Sequence, residues 1–235
     1  MLFKLFKNKS RNALRDEIEK EQQYIVFSAN DTFKELSSFS IFFSSLTKQL
    51  LHEKGFEVNN TTELTAKRIA LLHTEVSELV DAEKKGYSAE DKAMELADIV
   101  IRLLNIPVMY PAIYDSMKKL KDIEDSQHYN AKYYFSHFNA SNEEIYSHLK
   151  MRIANDMHAT ITLLENALFD YKVGGFEETQ TKKELIIKLI FDVILQCKLY
   201  IKISPEIQGK LHEFVQTKME LNFQRPHRYN TSPNF

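Results

Sequence analysis

The chain has 235 residues and a nearly balanced charge, with 31 Lys and Arg against 33 Asp and Glu and a formal net charge of −2. A charge this small gives no general attraction for nucleic acid or for anionic membranes. No run approaches the roughly 20 apolar residues that a transmembrane helix needs. The single cysteine, Cys197, excludes an intramolecular disulfide framework and fits a reducing compartment. We therefore expect a cytoplasmic protein without a nucleic-acid or membrane partner.

Glycine and proline are scarce, with five of each, which is too few for a turn-rich β protein. The apolar spacing instead predicts an all-α fold built of antiparallel helical bundles. After an N-terminal segment, residues 1–30, a first helical module is predicted at residues 31–126. Its predicted elements are a phenylalanine-rich helix from the Thr32–Glu35 capping box to about Gly55, an acidic helix ending at Gly86, a second acidic helix from the Ser88–Asp91 cap to Pro107, and a helix over about 111–125.

A second helical module is predicted at residues 141–229, after a linker at 127–140 and before a tail at 230–235. Its helices are expected to open at Ser141 with Glu144, at Thr181 with Glu184, and at Ser204 with Pro205. Each module then has a long helix, a glycine-containing turn and a very apolar helix, which indicates a weak internal repeat. If Asp192 is aligned with Asp98, the other three acidic positions lack an acid in the second copy. The second module would then keep the helical scaffold and lack the acidic site. Alternatively, the similarity arises by chance, since amphipathic helices often resemble one another.

The two acidic helices carry the carboxylate pairs Glu75/Glu78 and Glu95/Asp98, each spaced i, i+3 on one helix face. The second helix is apolar on nearly every side except one polar line that contains Glu95, Asp98 and Arg102, and such a helix is buried. Buried carboxylates are costly unless they are paired or bind a cation. The pattern therefore predicts a divalent cation held by all four carboxylates. The alternatives are a solvated acidic face, or an ion network in which Arg102 neutralises Glu95 and Asp98 without metal.

The last predicted helix carries a second polar constellation. Lys218, Asn222 and Arg225 follow one another at i, i+4 and i+7 on one face, and the chain continues as Pro-His-Arg-Tyr. Lysine supplies a point charge and arginine a forked donor, and both suit phosphate oxygens. This face is therefore predicted to bind an anionic ligand, with an ordinary exposed helix face as the alternative.

Several motifs together resemble the MazG-like all-α nucleoside triphosphate pyrophosphohydrolases. The family hallmark is ExxE followed, after a variable spacer, by ExxD, and here residues 79–94 separate the two pairs. The resemblance covers roughly residues 45–106 and 204–229. The matching runs are HEKGF (52–56), ALLHTEVSEL (70–79), ELADIVIRLL (95–104) and KMELNFQRPHRY (218–229).

The resemblance implies Mg²⁺-dependent hydrolysis of a nucleoside triphosphate between the α and β phosphates, with Mn²⁺ as a substitute metal, in a homo-oligomer, most simply a dimer. An alternative is a non-catalytic helical protein that binds nucleotide or has a regulatory role. A di-iron carboxylate site is disfavoured because neither acidic pair has the Glu-x-x-His spacing. The roles implied by position are metal ligation for Glu75, Glu78, Glu95 and Asp98, proton transfer for Glu78, and substrate binding for Lys218, Asn222, Arg225, His52 and Lys54.

One feature departs from the family pattern. The K…N..R tail usually follows the ExxD helix closely, whereas here more than a hundred residues separate Asp98 from Lys218. We therefore expect the two helical halves to pack as a pseudo-dimer whose site is completed across their interface. A long insertion within one module is the other explanation.

Overall fold

A computed structural model describes residues 33–56, 58–121, 143–173, 178–204 and 206–225, and within them the chain is all-helical. This confirms the predicted fold class. The segment 1–30, the linker 127–140 and the tail 230–235 lie outside the described residues. The helices are α1 (Phe33–Glu53), α2 (Thr62–Lys84), α3 (Ala89–Leu103), α4 (Asn105–Met109), α5 (Pro111–Lys121), α6 (Glu143–Val173), α7 (Glu178–Lys202) and α8 (Leu211–Gln224).

The predicted signals define the acidic hairpin α2–α3. The chain leaves α2 through Gly86, whose φ of 66° is a left-handed conformation that glycine adopts without strain. Ser88 and Asp91 then form the predicted capping box: the Asp91 amide donates to Ser88 Oγ at 3.1 Å, and the Ser88 amide donates to the Asp91 carboxylate at 3.3 Å. These two signals fix the turn, so α2 and α3 run antiparallel.

Pro107 does not end the second acidic helix as predicted. Helix α3 ends at Leu103, and Pro107 lies inside the short helix α4. The proline is tolerated because it occupies the first turn of α4, where backbone N–H groups have no partner within the helix. The predicted helix end was therefore wrong, and the chain bends in two steps toward α5.

Two predicted helix starts in the second half were also wrong. Helix α7 begins at Glu178, so Thr181 lies within it. The hydroxyl of Ser204 donates to the Tyr200 carbonyl at 2.7 Å and so belongs to the end of α7. Helix α8 begins only at Leu211, and the Lys210 amide before it donates to the Glu213 carboxylate at 2.7 Å. The predicted start at Ser141 lies outside the described residues.

Two helical hairpins pack against each other in the centre of the fold. Helix α2 lies beside α6 and α3 lies beside α7, while α8 packs along α3 and also touches α1. Buried apolar side chains of both halves form a single core cluster, and Cys197 on α7 is fully buried within it. Burial raises the pKa of the Cys197 thiol well above its usual range. Residues at the centre of this core are Leu72, Val76, Leu96, Ile99, Met157, Ile161, Ile190 and Ile194.

An ion network joins the two hairpins near the α2–α3 turn. Glu83 accepts hydrogen bonds from Lys92 at 2.8 Å, Lys150 at 3.3 Å and the Tyr200 hydroxyl at 2.9 Å, and Lys150 also contacts Glu206 at 2.5 Å. Burial acts to raise the pKa of Glu83, but the hydrogen bonds from Lys92 and Tyr200 and the lysine charges outweigh it and lower that pKa. Each buried charge in this network is therefore paired.

No single helix in the described ranges has the length and apolarity to cross a membrane. The segments Ala89–Met109 and Pro111–Leu120 reach that length and composition only when joined across a bend of 105°.

Candidate metal centre and its basic helix

Three of the four predicted acids converge between α2 and α3. Glu75 projects from α2, and Glu95 and Asp98 project from α3 one turn apart. One carboxylate oxygen of each residue lies within 4.8 Å of the corresponding oxygens of the other two. Oxygen atoms from three carboxylates at this separation can share one hard divalent cation.

Burial makes this cluster electrostatically costly without a cation. Only 6% of Glu75 is exposed, and the Oε2 atom of Glu95 is buried without a hydrogen-bond partner among the described residues. Burial, together with the negative charges of Asp98 and Glu78, raises the pKa of Glu95 to about 7. Burial also raises the pKa of Glu75, and a hydrogen bond from Arg102 partly opposes that rise.

The donor set fits magnesium or manganese. These ions favour carboxylate ligands and keep water or phosphate oxygens in the remaining positions. The Oε2 atom of Glu95, which is buried and has no partner in the ranges that the structure describes, is an acceptor that a cation would satisfy. Glu75, Glu95 and Asp98 are therefore the residues that could hold the metal.

Glu78, the fourth predicted ligand, lies outside this three-acid cluster. Its side chain is exposed on α2, one turn beyond Glu75. Its charge nevertheless acts to raise the pKa of both Glu75 and Glu95, which places it in the same electrostatic field. The Glu78 carboxylate is therefore accessible to water and is not part of the three-acid cluster.

Two basic side chains contact the cluster. Arg102 Nε donates to Glu75 Oε1 at 2.9 Å, and Lys218 Nζ lies 2.5 Å from Asp98 Oδ2. The alternative paired Arg102 with Glu95 and Asp98 on its own helix. Among the described contacts, its partner is instead Glu75 on α2. Arg102 and Lys218 therefore neutralise two of the three acids. Glu95 accepts no hydrogen bond from either cation.

Helix α8 brings part of the predicted anion-binding face to the acids. Lys218 contacts Asp98, and the Lys218 and Asp98 side chains are only 14% and 18% exposed. Asn222, one turn further along α8, has a buried Oδ1 atom without a hydrogen-bond partner in the described part of the chain. Arg225 lies at the C-terminal cap of α8 and is exposed. Acidic and basic residues far apart in sequence thus meet within one chain.

Lys54 has a structural contact that the sequence did not predict. Its Nζ donates to the backbone carbonyls of Phe223 at 2.8 Å and Arg225 at 2.5 Å, and only 9% of the residue is exposed. A lysine at the carbonyl end of a helix satisfies unpaired acceptors and favours the helix dipole. Lys54 therefore fixes the end of α8, while His52, its predicted companion in substrate binding, is exposed in the last turn of α1.

A histidine pair across α2 and α6 was also missed from sequence. The Nδ1 atoms of His73 and His158 lie 2.9 Å apart, and their rings stack with centroids 5.1 Å apart. Burial lowers the pKa of both imidazoles, which keeps them neutral near physiological pH. One ring must then donate to the other, and this pair links α2 to α6.

Comparison with known proteins found no match to a family model, to a curated protein or to a solved structure. The class that the fold and the site define is therefore an all-α helical protein with an acidic triad that could bind a metal ion.

Proposed function

We propose that this protein is a Mg²⁺-dependent nucleoside triphosphate pyrophosphohydrolase, which cleaves a (deoxy)nucleoside triphosphate into the monophosphate and pyrophosphate. The observation that carries the proposal is the convergence of Glu75, Glu95 and Asp98, together with a buried Glu95 oxygen that has no hydrogen-bond partner among the residues the structure describes. The sequence resemblance to the MazG-like enzymes supplies the reaction, since an acidic metal centre alone does not select one.

The metal would be held by Glu75, Glu95 and Asp98. When bound, Mg²⁺ or Mn²⁺ supplies positive charge beside the phosphates and acidifies a coordinated water. Lys218 sits at the edge of this centre and supplies a second positive charge toward the phosphate oxygens. Arg225 and Asn222, further along α8, extend that donor surface.

The reaction consumes one water molecule. Its oxygen forms a bond to one phosphorus atom of the α–β anhydride, and the bond from that phosphorus to the bridging oxygen breaks. Glu78, which is exposed beside the cluster, accepts the proton that the water loses. Positioning and charge stabilisation account for most of the catalysis in phosphoryl transfer.

The single chain is proposed to act as a pseudo-dimer. The two hairpins lie side by side, α2 with α6 and α3 with α7, which suits two related halves. The second hairpin has Leu163 and Leu189 where the repeat alignment predicts counterparts of Glu75 and Glu95, so only one metal centre is expected. Association into a homodimer remains a prediction.

A non-catalytic nucleotide-binding or regulatory role is the second candidate. It is favoured by the position of Glu78 outside the three-acid cluster and by the neutralisation of Glu75 and Asp98 by protein cations. In this case the chain would bind metal and nucleotide without releasing pyrophosphate.

Pyrophosphate release from canonical and modified (d)NTPs, with Mg²⁺ and with EDTA, tests the proposal. We expect metal-dependent release that Glu95→Gln and Asp98→Asn abolish and that Glu90→Gln retains, because Glu90 is an exposed acid on the same helix. Nucleotide binding without release would favour the second candidate. Absence of both binding and release would overturn both.

A further inference from the structure

Arg102 lies where the acidic centre meets solvent. It follows Asp98 by one turn on α3, and it crosses to α2, where its Nε donates to Glu75 Oε1 at 2.9 Å. Its side chain is 37% exposed, whereas that of Glu75 is 8% exposed. The guanidinium is therefore anchored at its inner nitrogen on a buried carboxylate, while the side chain as a whole reaches water.

Within the described part of the chain, most of the N–H donors of Arg102 have no partner. A guanidinium has five N–H donors in a rigid fork, and the contact to Glu75 uses the one on Nε. Among the described residues, no other side-chain hydrogen bond or ion pair of Arg102 is present. The two terminal amino groups form the edge that binds phosphate oxygens in bidentate fashion.

We propose that Arg102 is a polyphosphate-binding residue, which presents its terminal amino groups to the phosphate chain of a metal-bound nucleotide. The inference rests on the proposed function, which supplies the triphosphate as ligand. Glu75 has a dual role in it. One carboxylate oxygen orients the guanidinium, and the second oxygen remains for the metal ion.

The positions of the two cations around the acidic cluster support this role for Arg102. Lys218 approaches the centre through Asp98, and Arg102 approaches it through Glu75. A metal ion on the acids mainly offsets their own negative charge, so the phosphate chain needs further cations around it. Arg102 and Lys218 contact acids on two different helices, and together they supply those cations.

Titration calorimetry in Mg²⁺ with inorganic pyrophosphate, and with a nucleoside triphosphate carrying a non-hydrolysable α,β-methylene bridge, tests the proposal. We expect Arg102→Gln to weaken both affinities about 10-fold or more, as for the loss of a charged hydrogen-bond pair. Arg102→Lys keeps the positive charge but lacks the forked guanidinium, and its affinities are expected to lie between those of the wild type and Arg102→Gln. Arg152→Gln makes the same charge change at an exposed position on α6 and is expected to match the wild type.

Mn²⁺ binding without nucleotide separates a phosphate contact from damage to the metal centre. We expect Arg102→Gln to bind Mn²⁺ at least as tightly as the wild type, because Glu75 then loses a competing cation. If Arg102→Gln binds both phosphate ligands as tightly as the wild type does, the role of Arg102 is overturned and the proposed function stands. The same holds if weaker Mn²⁺ binding accounts for the whole loss of phosphate affinity. A wild-type chain that binds neither phosphate ligand would overturn the proposed function as well.

Discussion

Lys218 Nζ lies 2.5 Å from Asp98 Oδ2, so a residue of α8 neutralises a carboxylate of α3. Helix α8 belongs to the second predicted module, and α3 belongs to the first. This ion pair joins the ExxD motif to the K…N..R face within one chain, although most of the sequence between them forms other helices. Lys218 of the basic face therefore lies at the acidic centre within a single chain.

Replacement of Lys218 by Gln should lower pyrophosphate release about 10- to 100-fold, as expected for the loss of one charged donor to a phosphoryl group. Affinity for Mn²⁺ in the absence of nucleotide should hold or rise, because Asp98 loses a competing cation. Steady-state kinetics and titration calorimetry measure the two effects. Lys188→Gln, at an exposed position on α7, is the matched control. Unchanged turnover in Lys218→Gln would argue against a substrate role for α8.

Lys54→Met should lower the free energy of unfolding by about 1–3 kcal/mol, because two helix-end carbonyls lose a charged donor. Urea denaturation measures this change, and Lys67→Met, at an exposed position on α2, should alter stability little. If Lys54 acts only as a substrate-binding residue, its variant will instead raise KM while the denaturation midpoint stays at the wild-type value.

Divalent-metal affinity should increase as the pH rises toward 7. The folded-state pKa of Glu95 is about 7, raised by burial and then by neighbouring carboxylates, so the cation must displace a proton below that pH. Calorimetry with Mn²⁺ in buffers of different ionisation enthalpy measures the proton release directly. The same affinity at about pH 5.5 and about pH 8 would contradict the raised pKa.

The metal-free protein should show the opposite trend in stability. A carboxyl group whose folded pKa exceeds its unfolded value of 4.5 holds a proton that the unfolded chain releases. Its stabilising contribution is therefore full below about pH 4.5 and is lost as the pH rises through about 7. Thermal unfolding in EDTA should reveal this slope in the wild type, and Glu95→Gln should reduce it and unfold at a higher temperature near pH 8.

Lys150→Met should destabilise the fold by about 1–3 kcal/mol, because Glu83 and Glu206 then share only Lys92 as a buried cation. In a double-mutant cycle, adding Glu83→Gln to Lys150→Met should recover part of the lost free energy of unfolding. Urea denaturation followed by circular dichroism measures both changes. Additive effects of the two substitutions would show that the network does not couple the hairpins.

The local signals in the sequence were sufficient for the acidic hairpin. The Ser88–Asp91 cap and Gly86 define the turn, and the i, i+3 spacing places Glu95 and Asp98 on one face of α3. These features depend on contacts within a few residues, so sequence reasoning can reach them. The burial of Glu75 and the partial burial of Glu95 followed from the apolar residues around them.

Contacts between distant helices were beyond such reasoning. A helical wheel places Arg102 near Asp98, but the partner of Arg102 is Glu75 on another helix. The position of Lys54 suggested a pocket residue, whereas its partners are carbonyls at the far end of the chain. The starts of α7 and α8 were misplaced because capping pairs such as Thr181/Glu184 also occur inside helices, where packing decides the boundary.

The buried thiol of Cys197 can serve as an internal probe of how often the helical bundle opens. No part of this residue reaches solvent in the folded state, and the raised pKa of its thiol disfavours the reactive thiolate. A thiol-specific reagent can therefore modify the chain only in molecules whose α7 has left the core. The modification rate of each variant then compares how often the bundle opens, without any added label.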